Sequence, residues 1–204
     1  AFTYWDASSA ANVDSPTGNA YFWASYDFMY EGVKEGSGVD AHTFIHETGH
    51  LLGLDDYYNY DDNDQESNLV PLKYRHYAPM GGLAMMDYNI LDHDAWSKWA
   101  LGWTKPKILM NTITMPTTVT LSESESTGDM LVIPDASSSF NGSAFGEYLV
   151  VELYTPDGLN QLDSSKQYRD SYPRGFKMPG VKIYHVDSRL ALIKDQKFAN
   201  YLDS

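Results

Sequence analysis

The segment His46-Glu47-Thr48-Gly49-His50 sets two imidazoles four positions apart, with a carboxylate next to the first. In a helix, positions i and i+4 stand one above the other on the same face. His46 and His50 can therefore grip one metal ion between them. Imidazole nitrogen suits zinc, which in catalytic sites takes three protein ligands and keeps a fourth position open. Glu47 is too close along the helix to be the natural third ligand. The HExxH spacing makes it a general base, taking a proton from a metal-activated water and later delivering one to a leaving amine. The rival reading is a solvated helix with two incidental histidines. Three features argue against it: a cap before the segment, a glycine stop after it, and an acidic pair beyond that.

The elements that must hold these groups are legible around them. Asp40 stands where an N-cap belongs, and AHTFIHETGHLL reads as a helix with Phe44, Ile45, Leu51 and Leu52 as its apolar residues. Gly53 can take the left-handed conformation that ends a helix. The chain then turns back, so that Asp55 or Asp56 comes within reach of a metal, and a carboxylate oxygen can ligate zinc. Before the helix, residues 21–30 read as one or two buried strands, and Glu35–Gly38 as a turn. After it come an acidic loop over 55–68 and a turn-rich passage over 78–89 with Pro79, Gly81, Gly82 and a methionine pair. A second helix, DAWSKWAL, follows, capped by Asp92 or Asp94 and stopped by Gly102.

The texture changes near residues 104–107. From Ile108 to Leu121 near-alternating Thr, Val, Ile and Leu read as strands, and Met130–Pro134, Tyr148–Tyr154 and Val181–Val186 as three more. Residues 137–143 and 157–175 read as loops. The expected architecture is α+β. Residues 1–105 form the unit around the helix, and residues 106–204 a β-rich segment packed on it or continuing it.

The longer pattern HETGHLLGLDD is HExxHxxGxxD with Asp56 last, and it resembles the metzincin signature of zinc peptidases. That resemblance makes Asp56 the third ligand and Asp55 its runner-up. It also makes Ala84-Met85-Met86-Asp87-Tyr88 similar to the methionine turn beneath the metal, with Met86 as the turn residue. Tyr88, two positions on, falls where some metzincins carry a tyrosine that ligates zinc at rest or stabilises the oxyanion. The alternative for Met85, Met86 and Tyr88 is plain core packing. HETGHLLGLDDYY, MMDYN, LDHDAWSKWALGW and PGVKIYHVD, in this order, resemble the M6 family of immune inhibitor A-type peptidases. The resemblance is close over residues 40–105 and looser beyond. It implies a metzincin-like zincin fold and a secreted or cell-surface bacterial zinc endopeptidase acting on proteins or peptides, commonly with bound calcium. It also implies a sheet of several strands before the active-site helix. Only 45 residues precede His46, which leaves open a reduced sheet or part of the upper subdomain lying outside this chain.

Composition narrows the partners. With 14 Lys and Arg against 28 Asp and Glu, the formal net charge is −14. Such a surface repels nucleic-acid phosphates and anionic membranes. There are no cysteines, which removes disulfides, thiolate metal sites and cysteine nucleophiles. No apolar run approaches the roughly 18 residues of a membrane span, and the first residues show no signal-peptide pattern. Asp61, Asp62, Asn63, Asp64 and Glu66 could coordinate calcium or form a solvated charge run. His42 reads as a packed or capping residue, with a supporting role at the metal as the alternative. His93 could approach the cleft, and His76 and His185 read as structural. Trp96, Trp99 and Trp103 form a helical stripe suited to core packing. Two other functions compete with the metzincin-like peptidase. One is a gluzincin with a glutamate ligand from a later helix, for which no segment stands out. The other is a secreted, non-catalytic metal-containing module for adhesion or binding, against which an intact Glu47 argues.

Overall fold

The computed structural model describes residues 1–5, 20–30, 39–58, 80–110, 114–135, 140–165, 175–188, 190–192 and 198–200. The protein is a mixed α+β chain that packs as two compact units. One comprises residues 1–93 and 159–177, the other residues 94–158 and 178–204. The sequence reading placed its join near 105. The packed units part instead between His93 and Asp94, and the first takes back a segment from late in the chain. Among the described residues no helix is long and apolar enough to cross a membrane.

In the first unit, β1 (Phe2–Trp5) pairs antiparallel with β2 (Ala20–Trp23), Thr3 opposite Phe22. Of the one or two buried strands expected over 21–30, β2 alone forms, with Tyr21 and Trp23 exposed, and the chain after it makes a 3-10 turn, Tyr26–Met29. Its cause is local: the Ser25 hydroxyl accepts from the Asp27 amide at 3.3 Å, and a serine that bonds its own backbone favours a turn over a ladder. Helix α1 runs His42–Leu51. Its cap position is Ala41, one later than expected, yet the Asp40 carboxylate still accepts from the His42 amide at 2.9 Å. Gly53, at φ +103°, ends the helix, and its amide bonds the His50 carbonyl at 2.9 Å. A one-turn helix, α2 (Met85–Tyr88), ends on Asn89 in the left-handed region. Leu54, Ala84, Met85, Met86, Ile90 and Leu91 form the buried apolar part of this unit.

In the second unit, α3 (Ala95–Ala100) is capped by Asp94, whose carboxylate accepts from the Ser97 amide at 3.0 Å. A four-stranded sheet follows in the order β3 (Lys107–Ile108), β4 (Met130–Pro134), β5 (Glu147–Tyr154), β6 (Gly180–Asp187). β3 lies parallel to β4, and the other pairs are antiparallel. Ala95, Met130, Val132, Tyr148 and Val150 form its core, with Trp96 and Trp99 packed against them. Trp103 is not part of that stripe: it lies beyond the left-handed Gly102 and is exposed. Of the strands expected over 108–121, the described residues show β3 alone. Residues 114–121 are mostly exposed and paired with no strand, and Pro116 offers no amide to a ladder. A one-turn helix, α4 (Ser124–Thr127), precedes β4. The segment 157–175, read as loop, contains a 3-10 turn (Gly158–Asn160) and α5 (Gln161–Ser165). β7 (Leu190–Leu192) and β8 (Phe198–Asn200) form an antiparallel pair.

Candidate metal centre

Helix α1 does what its spacing requires. The His46 and His50 rings meet edge to face, with centroids 4.7 Å apart and Nε2 atoms 3.1 Å apart. Each ring is oriented from behind by a backbone carbonyl. His46 Nδ1 donates to the Met85 carbonyl at 2.8 Å, and His50 Nδ1 to the Leu54 carbonyl at 2.9 Å. A carbonyl can only accept, so both Nδ1 atoms carry the proton. In the neutral rings, Nε2 then presents its lone pair, the arrangement typical of metal-binding histidines.

Asp56 completes the cluster. Its Oδ1 lies 2.9 Å from His46 Nε2 and 3.4 Å from His50 Nε2. Asp55 is instead exposed and accepts from the Asp56 amide at 2.9 Å, capping the turn that delivers its neighbour. The loop is anchored by the Tyr57 amide, which donates to the Met86 carbonyl at 2.8 Å. His46, His50 and Asp56 could hold a metal ion: each offers one ligand atom, and the three lie within 4.8 Å of one another. The fit can be tested on their spacing. Ligand atoms bound tetrahedrally at about 2.0–2.1 Å stand roughly 3.3 Å apart, and the three distances here are 3.1, 2.9 and 3.4 Å. The donor set is also right, because two imidazole lone pairs and a carboxylate converging out of water need a cation or a proton between them. The electrostatics say the same. Burial would raise the Asp56 pKa, but hydrogen bonds to His46 and His50 hold it well below the usual carboxylate range. The bond to Asp56 raises His50 to about 9, against the opposing effect of burial. A metal competes with that proton for the same lone pair.

Glu47 is buried on the same helix, its carboxylate oxygen Oε2 accepting from the Thr3 hydroxyl at 2.9 Å. Met86 is fully buried beneath α1, at the one helical position without a side chain. A Cβ on Gly49 would stand 2.5 Å from the Met86 sulfur and 3.2 Å from His93 Cε1. Glycine at 49 thus admits the methionine between the two histidine turns, and His93 packs against the same point without being one of the three grouped side chains. Tyr88 ends α2, half-buried, three residues after the carbonyl that orients His46. Asp87 folds this turn by accepting from the Gly82 amide at 3.0 Å, and its burial pushes its pKa up to about 7 despite that bond.

Two features escaped the sequence reading. Tyr58 hydrogen-bonds the Asp56 carboxylate, and burial followed by the Asp56 charge pushes its phenol pKa up. Its only signal was a position two residues after the candidate ligand. The other is an Asp–His–Asp clamp. His42 Nδ1 meets Asp40 Oδ1 at 2.7 Å, and Nε2 meets Asp163 Oδ2 at 3.0 Å. Burial disfavours the His42 charge, but the bonds to Asp163 and Asp40 prevail and raise its pKa to about 9. Asp163 Oδ2 also accepts from the amide of Leu91, a left-handed residue just past the methionine turn, at 2.6 Å. One aspartate of α5 thereby holds both the start of α1 and the exit of α2. His185, on β6, pairs with Glu147 at the surface of its own sheet at 3.2 Å. The calcium candidates at 61–66 and His76 lie outside the described residues.

Comparison of the chain with family models, with curated proteins and with solved structures gave no match.

Proposed function

We propose that this chain is the catalytic part of a secreted zinc metalloendopeptidase of metzincin-like type, hydrolysing internal peptide bonds of proteins. The observation that carries the reading is the convergence of two oriented imidazoles and one buried carboxylate at ligand spacing, with Glu47 buried on the same helix. His46, His50 and Asp56 would hold the ion. Zinc, when bound there, polarises the scissile carbonyl and brings the pKa of a water to about 7. Glu47 takes the proton of that attacking water and passes one to the departing amine, so a single carboxylate serves as base and then acid. Met86 shapes the floor beneath α1. Tyr88 is the proposed donor to the developing oxyanion. The resemblance of the ordered motifs to the M6 family supports the protein substrate, the secreted location and bound calcium as a second ion. The net charge of −14 argues against nucleic acid as an alternative partner.

Elemental analysis tests the metal centre. The purified chain is expected to hold near one zinc, lost in Asp56→Ala and kept in Asp55→Ala. Glu47→Ala tests the chemistry: zinc stays while proteolysis falls about 100- to 10,000-fold. A chain that takes up no supplied zinc, or a Glu47→Ala variant as active as the wild type, would sink the reading.

A further inference from the structure

The carboxylate of Glu47 is held from outside its own helix. Thr3 Oγ1 lies 2.9 Å from Glu47 Oε2 and 3.3 Å from the Glu47 carbonyl. A hydroxyl has one proton to donate, and the shorter contact to a carboxylate takes it. The two oxygens of Glu47 are thereby made inequivalent: Oε2 commits a lone pair to Thr3.

The register of the small sheet brings Thr3 there. Thr3 stands directly opposite Phe22, and opposed residues of an antiparallel pair project on one face. The Phe22 ring packs edge-on against Phe44 of α1, centroids 5.9 Å apart and planes at 78°. Phe44 is three residues before Glu47, hence its neighbour on the helix surface. The aromatic contact seats the sheet on α1, and the position paired with it meets the carboxylate. A slip of one residue would turn Thr3 to the other face. Valine has the same branched shape and an equal taste for strands. What threonine adds at this point is the donor.

We propose that Thr3 is a positioning residue for the peptidase reaction. It anchors Oε2, holds the Glu47 side chain in one rotamer, and assigns the other oxygen, Oε1, to the proton of the attacking water. A glutamate has three side-chain torsions to restrain, and a base held in its working geometry avoids that loss at the transition state. The N-terminal strand is then part of the catalytic apparatus although it offers no ligand. This proposal rests on the peptidase reading of the metal centre.

Thr3→Val removes the donor at constant shape, and Thr3→Ser keeps it. On a fluorescence-quenched peptide cleaved by the zinc-loaded wild type, Thr3→Val is expected to lower kcat about 10- to 100-fold with KM changed less than about two-fold. Zinc stoichiometry stays at the wild-type value, and Thr3→Ser restores most of kcat. Thermal unfolding of the zinc-loaded chain supplies a readout independent of turnover. Thr3→Val lowers the midpoint in the wild-type background and leaves it unmoved in Glu47→Ala, because the partner is already gone. An unchanged kcat in Thr3→Val, a loss that serine does not restore, or equal midpoint drops in both backgrounds overturns the proposal while an active wild type leaves the peptidase reading standing. A wild type that binds zinc and cleaves nothing overturns both.

Discussion

Glu152 and Asp56 are carboxylates in low-dielectric surroundings, one in each unit, and their company differs. Glu152, in β5, pairs with Lys182 Nζ at 2.6 Å through one oxygen and accepts from the Ala95 amide at 2.7 Å through the other. Asp94 caps α3, and Lys98 donates to the carbonyls of Ser124 and Glu125, each at 2.9 Å. In the sheet unit, these buried charges are answered by protein donors or acceptors, and the result is a capped helix on an apolar sheet. In the helix unit, Asp56 faces two imidazole nitrogens whose rings are already turned by carbonyls behind them. There a carboxylate and two imidazole nitrogens converge on one point. Buried charge that the fold neutralises internally reads as structure. Buried charge aimed at a shared point reads as a place for something the chain must bind.

Substitutions in the two units should break this contrast in opposite ways. The largest effect on folding is expected from Glu152→Ala, which strands Lys182 and leaves the Ala95 amide without its acceptor. It should cost about 3–5 kcal/mol in a denaturant titration and leave zinc stoichiometry intact in the folded fraction. Loss of zinc at equal folding would erase the distinction between the units.

The clamp at His42 comes next. Its folded pKa is raised to about 9, so the stability it contributes is full below about pH 6.5 and is lost as pH rises through 9. The difference in unfolding free energy between wild type and His42→Gln should shrink by up to about 3 kcal/mol across that window. A difference flat with pH would mean that no imidazolium sits between Asp40 and Asp163. Gly49→Ala is the smallest of the three and the most local. Its methyl group meets the Met86 sulfur, so about 1–3 kcal/mol of stability should go, with weakened zinc binding. Trimming the methionine in Gly49→Ala/Met86→Ala should recover part of both, measured by thermal unfolding and zinc titration.

The pieces legible in the sequence are those that one segment carries alone. Two histidines at i and i+4 face the same way on any helix, and Gly53 ends that helix because it lacks a Cβ. β4, β5 and β6 were readable because a short run rich in β-branched and apolar residues is a property of the segment itself. Among the described residues of 108–121 no strand forms beyond β3, although their composition suits one. A strand needs a partner, and composition names none. The 3-10 turn at Tyr26–Met29 was hidden by its aromatics, and α5 was hidden by polar residues that read as loop.

Tertiary structure alone decided the rest, since each remaining feature joins segments far apart in the chain. Which aspartate turns inward depends on how the loop after Gly53 is tied to Met86. That Thr3 meets Glu47 depends on the register of β1 with β2 and the seat of Phe22 on Phe44. That His42 is held by Asp163 depends on a packing contact 121 residues distant. The sequence by itself determined the chemistry that one helix can offer. The fold decided which groups from elsewhere orient that chemistry, because orientation is set by register and packing, which no local spacing encodes.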